Sequence, residues 1–314
     1  MNYPIDLVYT WVDDSDPAWR AARDKALRDA GAVHRDNCGG RYFDNDELKY
    51  SLRGAEKFAP WINHIFIITA GQTPKWLNTK NKKITVIGHR DIIPEKYLPT
   101  FSSTFIEHWL HNIPGLSERF LYANDDMFFG GAVAPEYFFD NSGRPIVRAK
   151  PKSNYSIKNM TGKNPGSLWS QVKNAKLAVY KIFGKNHNYA WMPAHNIDSY
   201  CKSELKKIAD LFAPQITEMG AHRFRSPNDI QRIIYHEYGL ADGTAVMRKY
   251  SVLKRILMWC AGREYIVPFY TKDAAKLRRH NLFCINNSGS NPARDAANRE
   301  WLANFLPKKS EFEK

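Results

Sequence analysis

Two adjacent carboxylates, Asp125 and Asp126, stand in the stretch LYANDDMFFG, directly between apolar runs. Neighbouring negative charges repel, and burying either one without a partner is costly. A bound cation would resolve both problems. A hard ion such as Mg²⁺ takes carboxylate oxygens and shares itself with substrate phosphates. Asp13, Asp14 and Asp16 follow a different apolar run, IDLVYTWVDD, and strengthen that reading. The competing explanation is an ordinary strand-end turn, where Asn and Asp are favoured.

Three further groups have chemical potential. Helical spacing puts Glu107 and His111 on one face, opposite Phe105 and Trp109. Glu107 would otherwise only complete a capping box with Thr104. His108 and His111 lack the HExxH arrangement, which argues against zinc there. His195, in WMPAHNIDSY, has the residue type of a general base, since a free imidazole titrates near pH ~6.5; a capping or packing role is the alternative. In HRFRSPNDIQRII, Ser226 as N-cap, Pro227 at the first helical position and Asp229 three residues after the cap predict a helix start. Arg223 and Arg225 precede that terminus, where the dipole and the free N–H groups also favour anions. Guanidinium forks match phosphate oxygens, although a surface ion pair would use the same residues.

The elements that must position these groups follow from periodicity. IDLVYTWVDD (5–14), HIFIITAG (64–71), KITVIGH (83–89) and RFLYANDD (119–126) read as strands ending in polar residues. Helical patterns lie between them: 44–59, with an Asp44/Glu47 start signal, and 104–113. This alternation predicts an α/β fold, a mostly parallel Rossmann-like sheet flanked by helices. Ligands of such sheets collect at the carboxyl ends of the strands, which is where Asp13 and Asp125–Asp126 would fall. Residues 141–190 read as an irregular, Lys- and Asn-rich excursion. Helices resume at 197–212, 228–240 and 245–260, giving a helical second half. The expected division is an α/β core at 1–145 that carries the candidate metal site, with 146–314 completing the same cleft.

Charge separates the two parts. Residues 1–140 carry 16 Lys/Arg against 19 Asp/Glu, and residues 141–314 carry 30 against 13, within a net charge of +14. The basic half suggests an anionic partner. The basic segment VMRKYSVLKRILMWCAGR (246–263) is compatible with peripheral contact with an anionic membrane, or with core packing and a solvated basic face. Cys38, Cys201, Cys260 and Cys284 form no CxxC pair and read as reduced thiols. With no signal peptide and no run of roughly 18 apolar residues, the expected location is the cytoplasm.

The longer motifs IDLVYTWVDDSDP, RYFDNDELKYSLRGAEKFAPWINHIFIITAGQTPKWL, PTFSSTFIEHWLHNIPGLSERFLYANDDMFFG, MPAHNID, HRFRSPNDI and FCINN…FLPKKSEFE together resemble the Stealth family. That family includes bacterial hexose-1-phosphoryltransferases of capsule and exopolysaccharide synthesis. The resemblance implies a GT-A-like sheet and transfer of hexose (or N-acetylhexosamine) 1-phosphate from a UDP-sugar to a saccharide hydroxyl, with release of UMP and with Mg²⁺ or Mn²⁺ as cofactor. It places Asp13, Glu107, Asp125 and Asp126 at carboxylate-bearing active-site positions, Asp13 and Asp126 as catalytic residues and the last three as metal ligands. His195 and Arg225 fall on catalytic positions, while Arg223, Asp229 and Asn286 are implied donor contacts. Asp14 stands where the family usually has Gly, and Asn287 where an acidic residue is common. Two rival readings are a metal-dependent glycosyltransferase that releases UDP and a basic nucleic-acid-binding module. The latter lacks any helix-turn-helix, RNP-like or zinc-finger signature, so nucleic acid is not an expected partner.

Overall fold

A computed structural model describes residues 3–30, 42–151, 167–184, 191–193, 195–249, 269–277, 280–286 and 291–314. β1 (Ile5–Thr10) leads into α1 (Pro17–Asp29), and α2 (Glu47–Phe58) precedes β2 (Ile65–Thr69) and β3 (Ile84–Gly88). Two short helices, α3 (His89–Ile92) and α4 (Ser103–Glu107), then lead to β4 (Arg119–Asn124) and β5 (Met127–Phe129). β6 (Ile146–Pro151), α5 (Ser167–Phe183), β7 (Trp191–Pro193) and β8 (Asp198–Cys201) follow. The rest is α6 (Lys202–Leu211), α7 (Ala213–Gly220), α8 (Ile233–Asp242), β9 (Val246–Lys249), β10 (Phe269–Thr271), β11 (Leu282–Ile285) and a C-terminal helix, Pro292–Phe305.

The main sheet has the order β3-β2-β1-β4-β8. Its first four strands run parallel, and β8 is antiparallel to β4. This is the expected α/β class with a mostly parallel sheet. β1 reads as a nearly continuous apolar run because both its faces are covered. Val8, Phe66, Ile68, Phe120 and Tyr122 pack on one side with the buried residues of α4, α6 and α8. Leu7, Tyr9, Ile65, Ile67 and Leu121 pack on the other side with α2, β5 and β11. Two smaller sheets, β10-β11-β5 and β7-β6-β9, complete the architecture.

Strand order reverses around β1: β2 and β3 build outward on one side, and β4 lies on the other. In doubly wound sheets that reversal opens a crevice beyond the carboxyl ends. Thr10 pairs with Asn124, so the loops carrying Asp13 and Asp125–Asp126 leave the sheet side by side.

Several local expectations are corrected. Ser102, not Thr104, caps α4, its hydroxyl accepting from Phe105 N at 3.3 Å, so Glu107 takes no part in a capping box. The helix read over 104–113 is α4 followed by a 3₁₀ turn at Leu110–Asn112. Residues 141–190 contain β6 and the 17-residue α5, and the part from 152 to 166 lies outside the described residues. The 197–212 pattern begins as β8, and the 245–260 pattern begins as β9, parallel to β6. Residues 250–268 lie outside the described residues.

α2 rides closely on β5. A methyl group at Gly54 would sit 2.6 Å from the carbonyl oxygen of Phe129. Gly54→Ala is therefore expected to destabilise the fold by about 1–3 kcal/mol through overpacking, despite the better helix propensity of Ala. Thermal unfolding reads this directly, and an unchanged or raised melting temperature would show that the helix can lift off the strand.

Candidate active site

β4 ends at Asn124, and the two-residue turn Asp125–Asp126 passes the chain to β5 in the second sheet. Asp126 N donates to Asp125 Oδ1 at 3.1 Å, so the turn chemistry accounts for part of the Asn-Asp-Asp composition. It does not account for Asp126 Oδ1, which is buried and has no hydrogen-bond partner among the described residues. Asp126 Oδ2 faces Asn286 Nδ2 at 3.4 Å and the Cys284 thiol at 3.3 Å. The register explains the thiol: Cys284 pairs with Met127, and Ile285 N donates to Asp126 O at 3.0 Å.

Carboxylates crowd this point. Burial, then Asp126, Glu47 and Asp44, push the Asp125 carboxyl well above its usual range. Burial, helped by Asp46 and Asp13, raises Asp44 to about 6. Glu47 is fully buried and accepts from Asn45 N at 2.5 Å. Asp44 and Glu47, read from sequence only as a helix start, thus belong to the acidic surroundings. A lone buried oxygen amid repelling carboxylates fits a divalent cation, but the described side chains whose ligand atoms converge on Asp126 are His195 and Cys284, and the expected trio Asp125, Asp126 and Glu107 does not form such a group.

Asp13 is held in the loop after β1 by the buried Gln72, which accepts from Asp13 N at 3.2 Å and donates to Asp13 O at 2.7 Å. Its Oδ1 accepts from Ser15 N at 2.8 Å.

His195 is grouped with Asp126 and Cys284, ligand atoms of all three lying within 4.8 Å of one another. Burial, the dominant influence, pushes its imidazole below the usual range. Asp126, Asp198 and Glu107 pull it upward, and Arg232 pulls it down. Those four charged groups therefore act on it electrostatically.

Glu107 is buried, and its Oε1 meets Arg232 Nη1 at 3.2 Å and the Tyr122 hydroxyl at 3.1 Å. Arg232 also reaches Asp198 Oδ2 at 2.8 Å and the Tyr200 hydroxyl at 3.2 Å, and stands 4.8 Å from the centre of the Tyr122 ring. Burial alone would weaken that charge. Glu107, Tyr200, Asp198 and Tyr122 outweigh it and hold the guanidinium firmly charged. Glu107 Oε2 has no hydrogen-bond partner among the described residues. Arg232, Asp198 and Cys284 were not singled out from sequence. A usable signal existed for one of them: Arg232 opens the apolar run IIYHEYGL, where a charge needs a buried partner.

The 222–232 segment differs from expectation. Asp229 Oδ2 accepts from Ser226 N at 2.8 Å, and Asp229 N donates to Ser226 O at 3.1 Å. These bonds close a turn, and helix α8 begins only at Ile233. Arg223 and Arg225 therefore do not sit at a helix N-terminus. Arg223 donates to Pro99 O at 3.1 Å, and Arg225 donates to the Ser103 hydroxyl at the start of α4. Arg225 also acts electrostatically on Asp229, whose carboxyl burial raises to about 6 from 3.8. A carboxyl raised on folding stabilises the fold when protonated, and that contribution is lost as pH climbs between those values. Asp229→Asn is expected to abolish this part of the decline. Denaturant unfolding of both proteins at pH 4 to 7 should show their difference in stability changing across that interval, and a constant difference would refute the shift.

Fold and site together define a doubly wound α/β protein with an acidic site at the reversal of strand order. Stealth protein conserved regions 1, 2 and 3 match residues 3–30, 41–147 and 194–238. The chain belongs to the Stealth family. It is 35% identical over 298 residues to a capsular polysaccharide phosphotransferase of Haemophilus influenzae, covering 91% of this chain and 79% of that one. It is 30% identical over 339 residues to an exopolysaccharide phosphotransferase of Lactiplantibacillus plantarum, covering 99% and 97%. An exopolysaccharide phosphotransferase of Streptomyces coelicolor is 34% identical over 323 residues, but the match spans 33% of that relative, and for two others from that organism 53% and 50%. A galactosyltransferase solved with donor and acceptor sugar analogues aligns over 98% of this chain and 96% of that one, with a TM-score of 0.48 and 10% identity.

Proposed function

We propose that the chain is a sugar-phosphate transferase. It moves hexose or N-acetylhexosamine 1-phosphate from a UDP-sugar to a saccharide hydroxyl, building phosphodiester-linked capsule or exopolysaccharide. The observation that carries this reading is the buried Asp126 Oδ1, without a hydrogen-bond partner among the described residues, set among carboxylates at the strand-order reversal and close to His195. The names of the relatives supply the reaction class.

Asp125 and Asp126 would hold the divalent ion, and Glu107 would join them only through Oε2, because Oε1 is engaged. Held there, it would supply positive charge for the diphosphate. Asp13 lies across the same crevice and orients the donor. Asn286, Arg223 and Asp229 contribute donor contacts, while Arg225 clamps the transferred phosphoryl oxygens. His195 takes the proton from the acceptor hydroxyl as its oxygen bonds to the β-phosphorus and the bond to UMP breaks. The sugar C1–O bond is untouched, so the anomeric configuration is kept. Residues 1–145 and 146–314 contribute to one cleft, and the basic second half holds the anionic polymer or rests against an anionic membrane surface. No described helix is long and apolar enough to cross a membrane, and we place the reaction in the cytoplasm.

Turnover against a panel of UDP-sugars with Mg²⁺ or Mn²⁺, reading the nucleotide by chromatography and the linkage by phosphorus NMR, tests the proposal. UMP and a new phosphodiester are expected. Release of UDP would make the protein a glycosyltransferase instead.

A further inference from the structure

The Cys284 thiol has no part in that reaction, yet it lies against the site's central carboxylate. It is wholly buried, 3.3 Å from Asp126 Oδ2, and the β5–β11 pairing holds it there. His195 supplies an imidazole nitrogen within 4.8 Å of both. The thiol belongs to the apolar cluster that covers one face of the main sheet, and at its edge it meets a carboxylate and an imidazole; two of the three groups come from loops that converge at the strand-order reversal.

We propose that Asp126, His195 and Cys284 form a binding site for a thiophilic divalent ion of the zinc or cobalt class. Such an ion at this site excludes the hard ion of catalysis and arrests the enzyme. The donor chemistry sets the preference. Thiolate and imidazole favour zinc-class ions, whereas Mg²⁺ takes oxygen. Bond lengths of about 2.3 Å to sulfur and about 2.0 Å to oxygen in a tetrahedral site separate those two ligand atoms by about 3.5 Å. The observed 3.3 Å needs only a slight adjustment. Three protein ligands leave the fourth position to water. On binding, the thiol gives up its proton to solvent, the sulfur–metal bond forms, and the ring nitrogen lends the lone pair a base would use. The arrest rests on the proposed roles of Asp126 and His195 in that reaction, whereas the binding site does not.

Cobalt(II) titration of the whole chain separates the two claims. The expected result is a near-ultraviolet thiolate-to-cobalt charge-transfer band, with visible absorption of tetrahedral intensity. Zinc should erase both, and Mg²⁺ in large excess should leave them. Cys284→Ser should lose the charge-transfer band and bind cobalt at least about tenfold more weakly, the lower end of what loss of even an outer partner of a metal costs. A variant with Cys38, Cys201 and Cys260 changed to Ser keeps Cys284 as its sole thiol and should retain the band, which guards against misfolding of the first variant. Absence of the band from that single-thiol protein, or its persistence in Cys284→Ser, overturns the site. A normal band with undiminished UMP release in zinc-loaded protein would keep the site and overturn the arrest. Failure to release UMP even with Mg²⁺ alone would instead count against the proposed function.

Discussion

His195→Ala lowers kcat/KM for UMP release by about 10²- to 10⁴-fold, the usual contribution of a positioned proton acceptor. The structure gives two reasons to expect the upper part of that range. Burial keeps the imidazole neutral at pH 7 and therefore able to accept a proton. Asp126 lies close enough to stabilise the imidazolium that forms as the proton arrives. Donor affinity should change little, because no donor-binding role falls to His195, so the loss belongs in kcat. The pH profile provides an independent check. A base must be deprotonated, so wild-type activity falls on the acid side, with a midpoint below the free imidazole value of 6.5. Steady-state kinetics from pH 5 to 8 measures both effects. A loss under tenfold with the acid limb unmoved would remove His195 from proton transfer.

How much of this could be read from the residues depended on whether a signal was local. The strands of the main sheet were legible because apolar runs such as IDLVYT and HIFIIT end in polar residues at the crevice. The placement of Asp13 and Asp126 just beyond strand ends was legible for the same reason, whereas the approach of His195 and Asn286 to Asp126 comes from the tertiary fold. The failures lie where tertiary contacts override a local pattern. Ser226–Pro227–Asp229 has the composition of a helix start, and its hydrogen bonds do form, but they close a turn. Glu107 has capping-box spacing, but its carboxylate faces Arg232, 125 positions away in the chain. Val246–Lys249 reads as part of a basic helix, yet pairing with β6 makes it a strand. Cys284 gave no sign of its position because only the antiparallel register of β11 on β5 brings it to Asp126.

Arg232→Met is expected to cost about 3–5 kcal/mol of folding stability, the loss typical when one partner of a buried ion pair is removed. That is a large share of a total that is commonly about 5–15 kcal/mol. Glu107 and Asp198 would be left as buried or half-buried carboxylates with no cation between them, and the Tyr200 hydroxyl would lose its guanidinium donor. Arg232→Lys should recover only part of the loss, because a single ammonium cannot reproduce a fork that reaches two carboxylates and a phenol at once. Adding Glu107→Gln and Asp198→Asn to Arg232→Met removes the uncompensated charges and should restore most of the stability. Denaturant unfolding of the series measures each step, and a loss under about 1 kcal/mol for Arg232→Met would mean that the carboxylates are solvated or already protonated. Kinetics then distinguishes a purely structural arginine from one that tunes the base. Arg232 pulls the His195 imidazole downward, so Arg232→Met assayed below its melting temperature should move the acid limb of the pH profile to higher pH. An unmoved limb would confine Arg232 to holding α8 against the sheet, and a shifted one would make it the positioning residue that keeps His195 neutral in an otherwise acidic crevice.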